Sequence, residues 1–283
     1  MSSTCILTDN AIQFTKACFS DDIAFLFLDY KASYSIPSVS NKSKTQLSDF
    51  PKQLLFEQIS ILVPPSNEEI SEIISSSINS YDDVFILLHS KQINPIFQTV
   101  TDILGKMHGR ASIHLIDTQS ISVGQGYIIQ YAHDLISKNI PGFEIDRLLR
   151  ETIPHIYTLI CSPNLSYLYA SGFCDIGQCV VGEMTSLLPI FGFESGKLNS
   201  LEKVKNIRGV IEYFIEYIGE FADLLQVSFL QTTPPMHSES KVLRQFIEDV
   251  FPTTNYSEHP INNYLTSRIG PKGFGLIVIE KSS

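Results

Sequence analysis

Short apolar runs separated by helical patterns fill the first half of the chain, and that alternation constrains its fold more than any other feature. Cys5-Ile6-Leu7, Ile23 to Leu28, Ile59 to Val63, Val84 to Leu88 and Ile113 to Ile116 are each too short for a helix. Between them, Glu68 to Ile78 carries Ile70, Ile73, Ile74 and Ile78 at helical spacing, and Ile93 to Met107 carries Phe97, Val100, Ile103, Leu104 and Met107 likewise. Strand, helix, strand predicts parallel pairing and an open α/β sheet. Ser66 is placed to cap the first helix, with Glu68 and Glu69 suiting its positive end.

The second half reads differently. Tyr157 to Cys161 predicts a strand, Pro163 to Ala170 a short helix, and Ser186 to Glu194 a strand that turns at Ser195-Gly196 into Lys197 to Leu201. A long helix is expected over Lys203 to Leu225, with Val210, Phe214, Ile218 and Phe221 in one stripe. The strand Gln226 to Gln231, a helix from Ser238 to Phe251 and a final strand Gly275 to Glu280 complete an α+β pattern. Pro154 stops the helix of Ile145, Leu148 and Leu149, so two domains are expected: a Rossmann-like, parallel-sheet α/β domain over 1–150 and an α+β domain over 151–283. Lys31 to Ser48, rich in Ser, Lys and Asn, is expected to be a surface loop.

A chain of 283 residues with 43% hydrophobic side chains can bury large cores, and its net charge of -10 opposes the basic surface that nucleic acid requires. No apolar run approaches the roughly 20 residues of a spanning helix, so the chain reads as soluble and cytoplasmic. Cys5, Cys18, Cys161, Cys174 and Cys179 lack metal-ligand spacing and read as buried free thiols; no metal and no cofactor are expected.

The residues that carry chemistry concentrate where strands end. Ile113 to Ile116 runs into Asp117-Thr118-Gln119-Ser120, and a helix begins across Gly124-Gln125-Gly126, so side-chain acceptors and free backbone N–H groups converge. Asp9 closes the first strand as Asp117 closes the fifth: a pair of acids for a metal or a general base, or two capping residues. His89-Ser90 is the one local Ser/His arrangement, but it has no G-x-S-x-G elbow and no assignable acid, so a catalytic use of Ser90 with Asp9 or Asp117 is the weaker alternative. Gly124-Gln125-Gly126 lacks the third glycine of a dinucleotide loop, where Ile129 stands. Gly270-Pro271-Lys272-Gly273 reads as a tight turn before the last strand.

The order of these motifs resembles the DegV family along nearly the whole chain. Ile6-Leu7-Thr8-Asp9-Asn10-Ala11, Pro65-Ser66-Asn67-Glu68-Glu69, Ile116 to Gly126, Leu165 to Gly172, Leu187-Leu188-Pro189-Ile190 with Gly196-Lys197, and Gly270 to Gly275 carry the likeness. The resemblance implies a non-catalytic, two-domain protein that holds one long-chain fatty acid in an apolar tunnel at the domain interface and presents its carboxylate to a separate fatty-acid kinase. It also implies a headgroup site around Leu62, Val63, Ser90, Ile93, Asn94, Asp117, Thr118, Arg268 and Gly270, with Arg208 facing the partner. This chain has Leu62-Val63 where the family has Thr-Ser, Ile93-Asn94-Pro95-Ile96 where it has Leu-Ser-Gly-Thr, and Arg268 where it has His. Two hydroxyl donors are thereby lost, and Pro95 removes an N–H. The alternative reading is a DegV-like scaffold that takes another amphipathic ligand or only a protein partner.

Overall fold

The computed structural model describes residues 3–15, 19, 23–32, 50, 62–107 and 109–281. The chain divides into two compact units, the first built from residues 1–31, 63–154 and 195–197, the second from 32–62, 155–194 and 198–283. It is an α/β chain with a parallel sheet in the first unit and a mixed sheet in the second.

In the first unit, β1 (Thr4–Asp9) lies between β2 (Ala24–Leu28) and a later strand, and the residues between these strands supply the crossovers that parallel pairing requires. Two short strands follow, β3 (Lys31–Ala32) and β4 (Leu62–Val63), which pair with each other outside the main sheet. The strand expected over Ile59 to Val63 is therefore not a member of the parallel sheet; Ile59, Ser60 and Ile61 lie outside the described residues, as do Cys18 and the expected loop beyond Ala32.

Helix α1 (Asn67–Ser80) begins with a full capping box: Glu69 N donates to Ser66 Oγ at 3.2 Å, and Ser66 N donates to Glu69 Oε2 at 2.9 Å. Its buried residues are Ile70, Ile74, Ser77 and Ile78. Then come β5 (Asp83–Leu88), α2 (Phe97–Leu104), β6 (Ser112–Asp117), α3 (Val123–Ser137) and α4 (Gly142–Thr152). The parallel order is β2-β1-β5-β6. Helix α2 starts four residues later than the apolar spacing predicts, because Pro95 biases Asn94 away from helical backbone.

In the second unit, β7 (Ile156–Cys161) leads to α5 (Leu165–Ala170) and α6 (Ile176–Thr185), then to the hairpin β8 (Leu188–Glu194) and β9 (Lys197–Val204). Helix α7 (Ile207–Gly219), β10 (Leu224–Gln231), α8 (His237–Val250), β11 (Asn255–Pro260), α9 (Asn263–Ile269) and β12 (Phe274–Glu280) follow. The six strands run β11-β10-β12-β7-β8-β9, with β10 and β11 parallel and β12 antiparallel to both of its neighbours, β10 and β7. Val210, Phe214 and Ile218 of α7 are buried in one cluster with Leu159, Val227, Phe229, Leu276 and Val278 of the sheet.

Two expectations change here. The helix expected over Lys203 to Leu225 is shorter at both ends: Lys203 and Val204 belong to β9, and Asn206 caps α7 by accepting from Gly209 N at 2.9 Å. Helices α6 and α9 and strand β11 occupy stretches for which the sequence predicts no element.

Candidate functional site

At the carboxyl ends of β1 and β5 the first unit buries a dense polar cluster. Asp9 is fully buried, and both its oxygens are filled: Oδ1 accepts from Ala11 N at 3.1 Å and Gln125 Nε2 at 3.2 Å, while Oδ2 accepts from His89 N at 3.1 Å and from His89 Nδ1 at 2.9 Å. Burial pushes the Asp9 carboxyl up, but the His89 charge and these hydrogen bonds outweigh it and hold the group below the ordinary carboxylate range. Thr8 Oγ1 donates to Leu87 O at 2.7 Å and accepts from Gln125 Nε2 at 3.1 Å, tying α3 to the same strand end.

Asn94 is 5% exposed and built into its own loop. Its Oδ1 accepts from Tyr30 Oη at 2.9 Å and from Ile96 N at 3.0 Å, and its Nδ2 donates to His89 O at 3.4 Å. The Ser90 hydroxyl donates to the Gly196 carbonyl at the tip of the β8–β9 hairpin, and Ser90 N donates to Ser120 O at 2.9 Å. Ile93 N closes the turn on Ser90 O at 3.0 Å.

Asp117 Oδ1 accepts from Gln119 N at 3.0 Å and from Lys91 N at 3.1 Å, and Thr118 Oγ1 donates to Ser120 O at 3.4 Å. Asp9 and Asp117 thus close Asx turns rather than cap helices. They are not neighbours either, because β5 separates β1 from β6. The Ser90 hydroxyl is bonded to the Gly196 carbonyl, and the His89 imidazole to Asp9. Leu62 is buried and Val63 exposed, and neither brings a side-chain polar group.

The second unit holds the complementary features. Leu165, Leu168, Phe173, Pro189, Phe191 and Leu198 line a cavity of about 500 Å³, within the range of about 300–1,000 Å³ in which small-molecule sites fall. Helix α5 supplies Leu165 and Leu168, both buried, and also packs against α9, which carries Arg268. Arg268 stacks its guanidinium over the Tyr264 ring at 5.1 Å and donates through Nη2 to Tyr264 Oη at 3.2 Å. Its Nε is buried without a hydrogen-bond partner, and among the described residues Arg268 makes no ion pair.

Ser171 Oγ donates to Arg268 O at 3.1 Å and Ser162 Oγ to Ile269 O at 2.9 Å, which fixes the chain just before Gly270. Gly270 takes φ +82°, and a Cβ there would meet Tyr167 Cδ2 at 2.8 Å and Asn164 Cβ at 2.9 Å, so only glycine fits. The turn from Gly270 to Gly273, closed by Gly273 N donating to Gly270 O at 3.0 Å, feeds β12 as expected.

Ser90, Ile93, Asn94, Asp117 and Thr118 therefore gather in the first unit, and Arg268 and Gly270 in the second. Arg208 stands apart on α7, 87% exposed and paired with Glu212 at 2.8 Å. The cavity lining and the buried Asp9–His89 pair are not among the residues singled out from the sequence for these roles. The signal for the first was the apolar composition of Leu165 to Ala170 beside an apolar hairpin; for the second it was a histidine directly after a buried strand. Among the described residues no group of three His, Cys, Asp or Glu side chains is arranged to hold a metal ion, and no helix is long and apolar enough to cross a membrane.

Comparison with known proteins accords with this architecture. A DegV domain-containing protein of Caldanaerobacter subterraneus is 25% identical over 150 residues, 53% of this chain and 53% of the relative, so the chain spans about half the length of that curated relative. Among solved structures, the fatty acid binding DegV family protein of Streptococcus agalactiae superposes with a TM-score of 0.83 at 15% identity, covering 100% of both chains. The Fatty Acid Kinase (Fak) B3 protein of Streptococcus pneumoniae, solved loaded with linoleic acid, gives a TM-score of 0.77 at 12% identity over 99% of this chain and 100% of that one. At these identities the structural likeness is one of fold. A family model described as an uncharacterised protein of the DegV family matches residues 43–281, most of the chain, and this chain belongs to the DegV family.

Proposed function

We propose that the chain binds one long-chain fatty acid, with the acyl chain in the cavity of the second unit and the carboxylate held by Arg268, and presents that carboxylate in the cytoplasm to a fatty-acid kinase without performing chemistry itself. The observation that carries this reading is an apolar cavity and a guanidinium with an unpartnered, buried Nε in the same unit, joined through α5 and α9. The relatives support it, since the S. agalactiae protein is described as fatty acid binding and the S. pneumoniae one was loaded with linoleic acid.

Magnitudes favour the same reading despite the altered headgroup residues. Burying about twelve methylenes contributes on the order of 10 kcal/mol, whereas a lost neutral hydrogen bond is worth only about 1 kcal/mol. The cavity dominates the affinity, and Arg268 supplies a charge-assisted bond to the carboxylate. In the first unit, Ser90 and Asn94 already direct their hydrogen bonds inward and offer little to a ligand.

Mass spectrometry of lipid extracted from the purified, denatured protein tests the reading, with about one acyl chain per protein expected. Arg268→Leu should weaken oleate binding by about 10- to 100-fold, the worth of a hydrogen bond to a charged group. Absence of any acyl species together with no uptake of added oleate or palmitate would overturn it. Those inward-directed hydrogen bonds also favour the second reading, an amphipathic ligand with a different headgroup. An extracted ligand without a carboxylate would establish that one instead.

A further inference from the structure

The cavity of the second unit is apolar at its floor and carries polar side chains beside the exposed Val181 where it opens. Leu165, Leu168 and Pro189 are buried, while Gln178, Thr185, Ser200 and Lys203, which line the same space, are exposed. Lys203 is the one charged residue in that lining, and it stands near the end of β9, the edge strand of the six-stranded sheet. Among the described residues its ammonium has no carboxylate within ion-pair distance, unlike Arg208, which pairs with Glu212, and Lys281, which pairs with Asp223. A closed apolar tunnel rejects any chain with a charged far end, because that charge loses its hydration and gains nothing in return. Here the exposed rim presents hydroxyls, an amide and an unpaired cation in contact with water.

We propose that this opening admits long-chain acids that end in a second carboxylate, with Lys203 as the cation that receives the distal group. The inference rests on the fatty-acid reading of the cavity and extends it to a substrate class, the long-chain α,ω-dicarboxylates. Lys203 acts on specificity through a solvent-exposed ion pair, so its contribution is modest and sensitive to salt. The larger effect is permissive: the rim spares the distal carboxylate a desolvation cost that would weaken binding by more than about a thousandfold.

Delipidated full-length protein should be titrated with palmitate and with hexadecanedioate, in the wild type and in Lys203→Met, Lys203→Glu and Lys203→Arg. Hexadecanedioate is expected to bind the wild type within about fivefold of palmitate. Lys203→Met should weaken hexadecanedioate by about two- to fivefold and Lys203→Glu by more, Lys203→Arg should restore it, and palmitate should respond to none of the three. High salt should erase the difference between wild type and Lys203→Met.

Rejection of hexadecanedioate by more than about a thousandfold while palmitate binds would overturn the inference and leave the fatty-acid reading standing. Equal responses of both ligands to the Lys203 variants, as expected of a plain edge-strand charge, would also overturn it. Binding of hexadecanedioate alone, with the Lys203 dependence, would support the rim and refute a monocarboxylate ligand; binding of neither would refute both.

Discussion

At the scale of single residues, the most constrained group is Asp9. Four donors converge on a carboxylate with no exposure to water, and one of them belongs to the His89 imidazole. Removing one partner of a buried pair leaves the other unpaired, so Asp9→Asn is expected to cost about 3 kcal/mol or more of stability. Its carboxyl is held below the ordinary range in the folded chain, so the stabilisation is fully present above the unfolded value, near pH 4, and is lost as pH falls through the folded value. Urea unfolding of the wild type between pH 6 and pH 3 should show that loss, and Asp9→Asn should flatten it; parallel pH curves would remove the pair from the account. Asp9 was legible as a strand-end residue, but its partner was not. Neighbouring strands bring His89 beside it across 80 positions of sequence, and no local spacing encodes that meeting. The same limit applies to Arg268, whose lack of an ion pair among the described residues depends on what surrounds it rather than on its neighbours in sequence.

Among the elements, periodicity revealed what is half-buried and hid what is not. Helices α1, α7 and α8 carry apolar stripes over one face and were readable, as were β1, β5, β6, β10 and β12 with their short, mostly apolar runs. Helix α6 has Ile176, Val180, Val181 and Met184 exposed and two glycines within it, so no stripe marks it. Its start does carry a signature, the Asp175-x-x-Gln178 capping box, flanked by Cys174 and Cys179 at the positions of a hydrophobic staple. Strand β11 is mostly polar, carries the charged Glu258 and ends in proline, as an edge strand should, and so resembles a loop.

Helix α3 makes the sharpest test at this scale, because propensity and packing disagree there. Alanine is favoured over glycine inside a helix by about 1 kcal/mol. A Cβ at Gly126, however, would lie 1.9 Å from the Gln13 carbonyl oxygen, a backbone atom that cannot move aside alone. Gly126→Ala should therefore destabilise the first unit by about 2 kcal/mol or more, as overpacking does, seen as a lower urea midpoint. A raised midpoint would show that the close approach relaxes freely.

For the molecule as a whole, charge decides how a partner finds it. The chain carries a net charge of -10, yet Lys203, Lys205 and Arg208 fall within six consecutive positions where β9 gives way to α7. An exposed i,i+4 pair such as Arg208–Glu212 adds little to stability, so charge reversal at Arg208 should leave the melting temperature and the bound lipid unchanged. Docking is different, because exposed charges set association rate and its dependence on salt. If Arg208 faces the kinase, Arg208→Glu should lower the association rate by about tenfold at low ionic strength, and the difference should shrink as salt rises. Surface plasmon resonance of the lipid-loaded protein against the kinase reads both quantities. Equal rates for the two proteins at low salt would place the docking surface elsewhere, whereas slower docking with full lipid retention would separate recognition of the partner from recognition of the fatty acid.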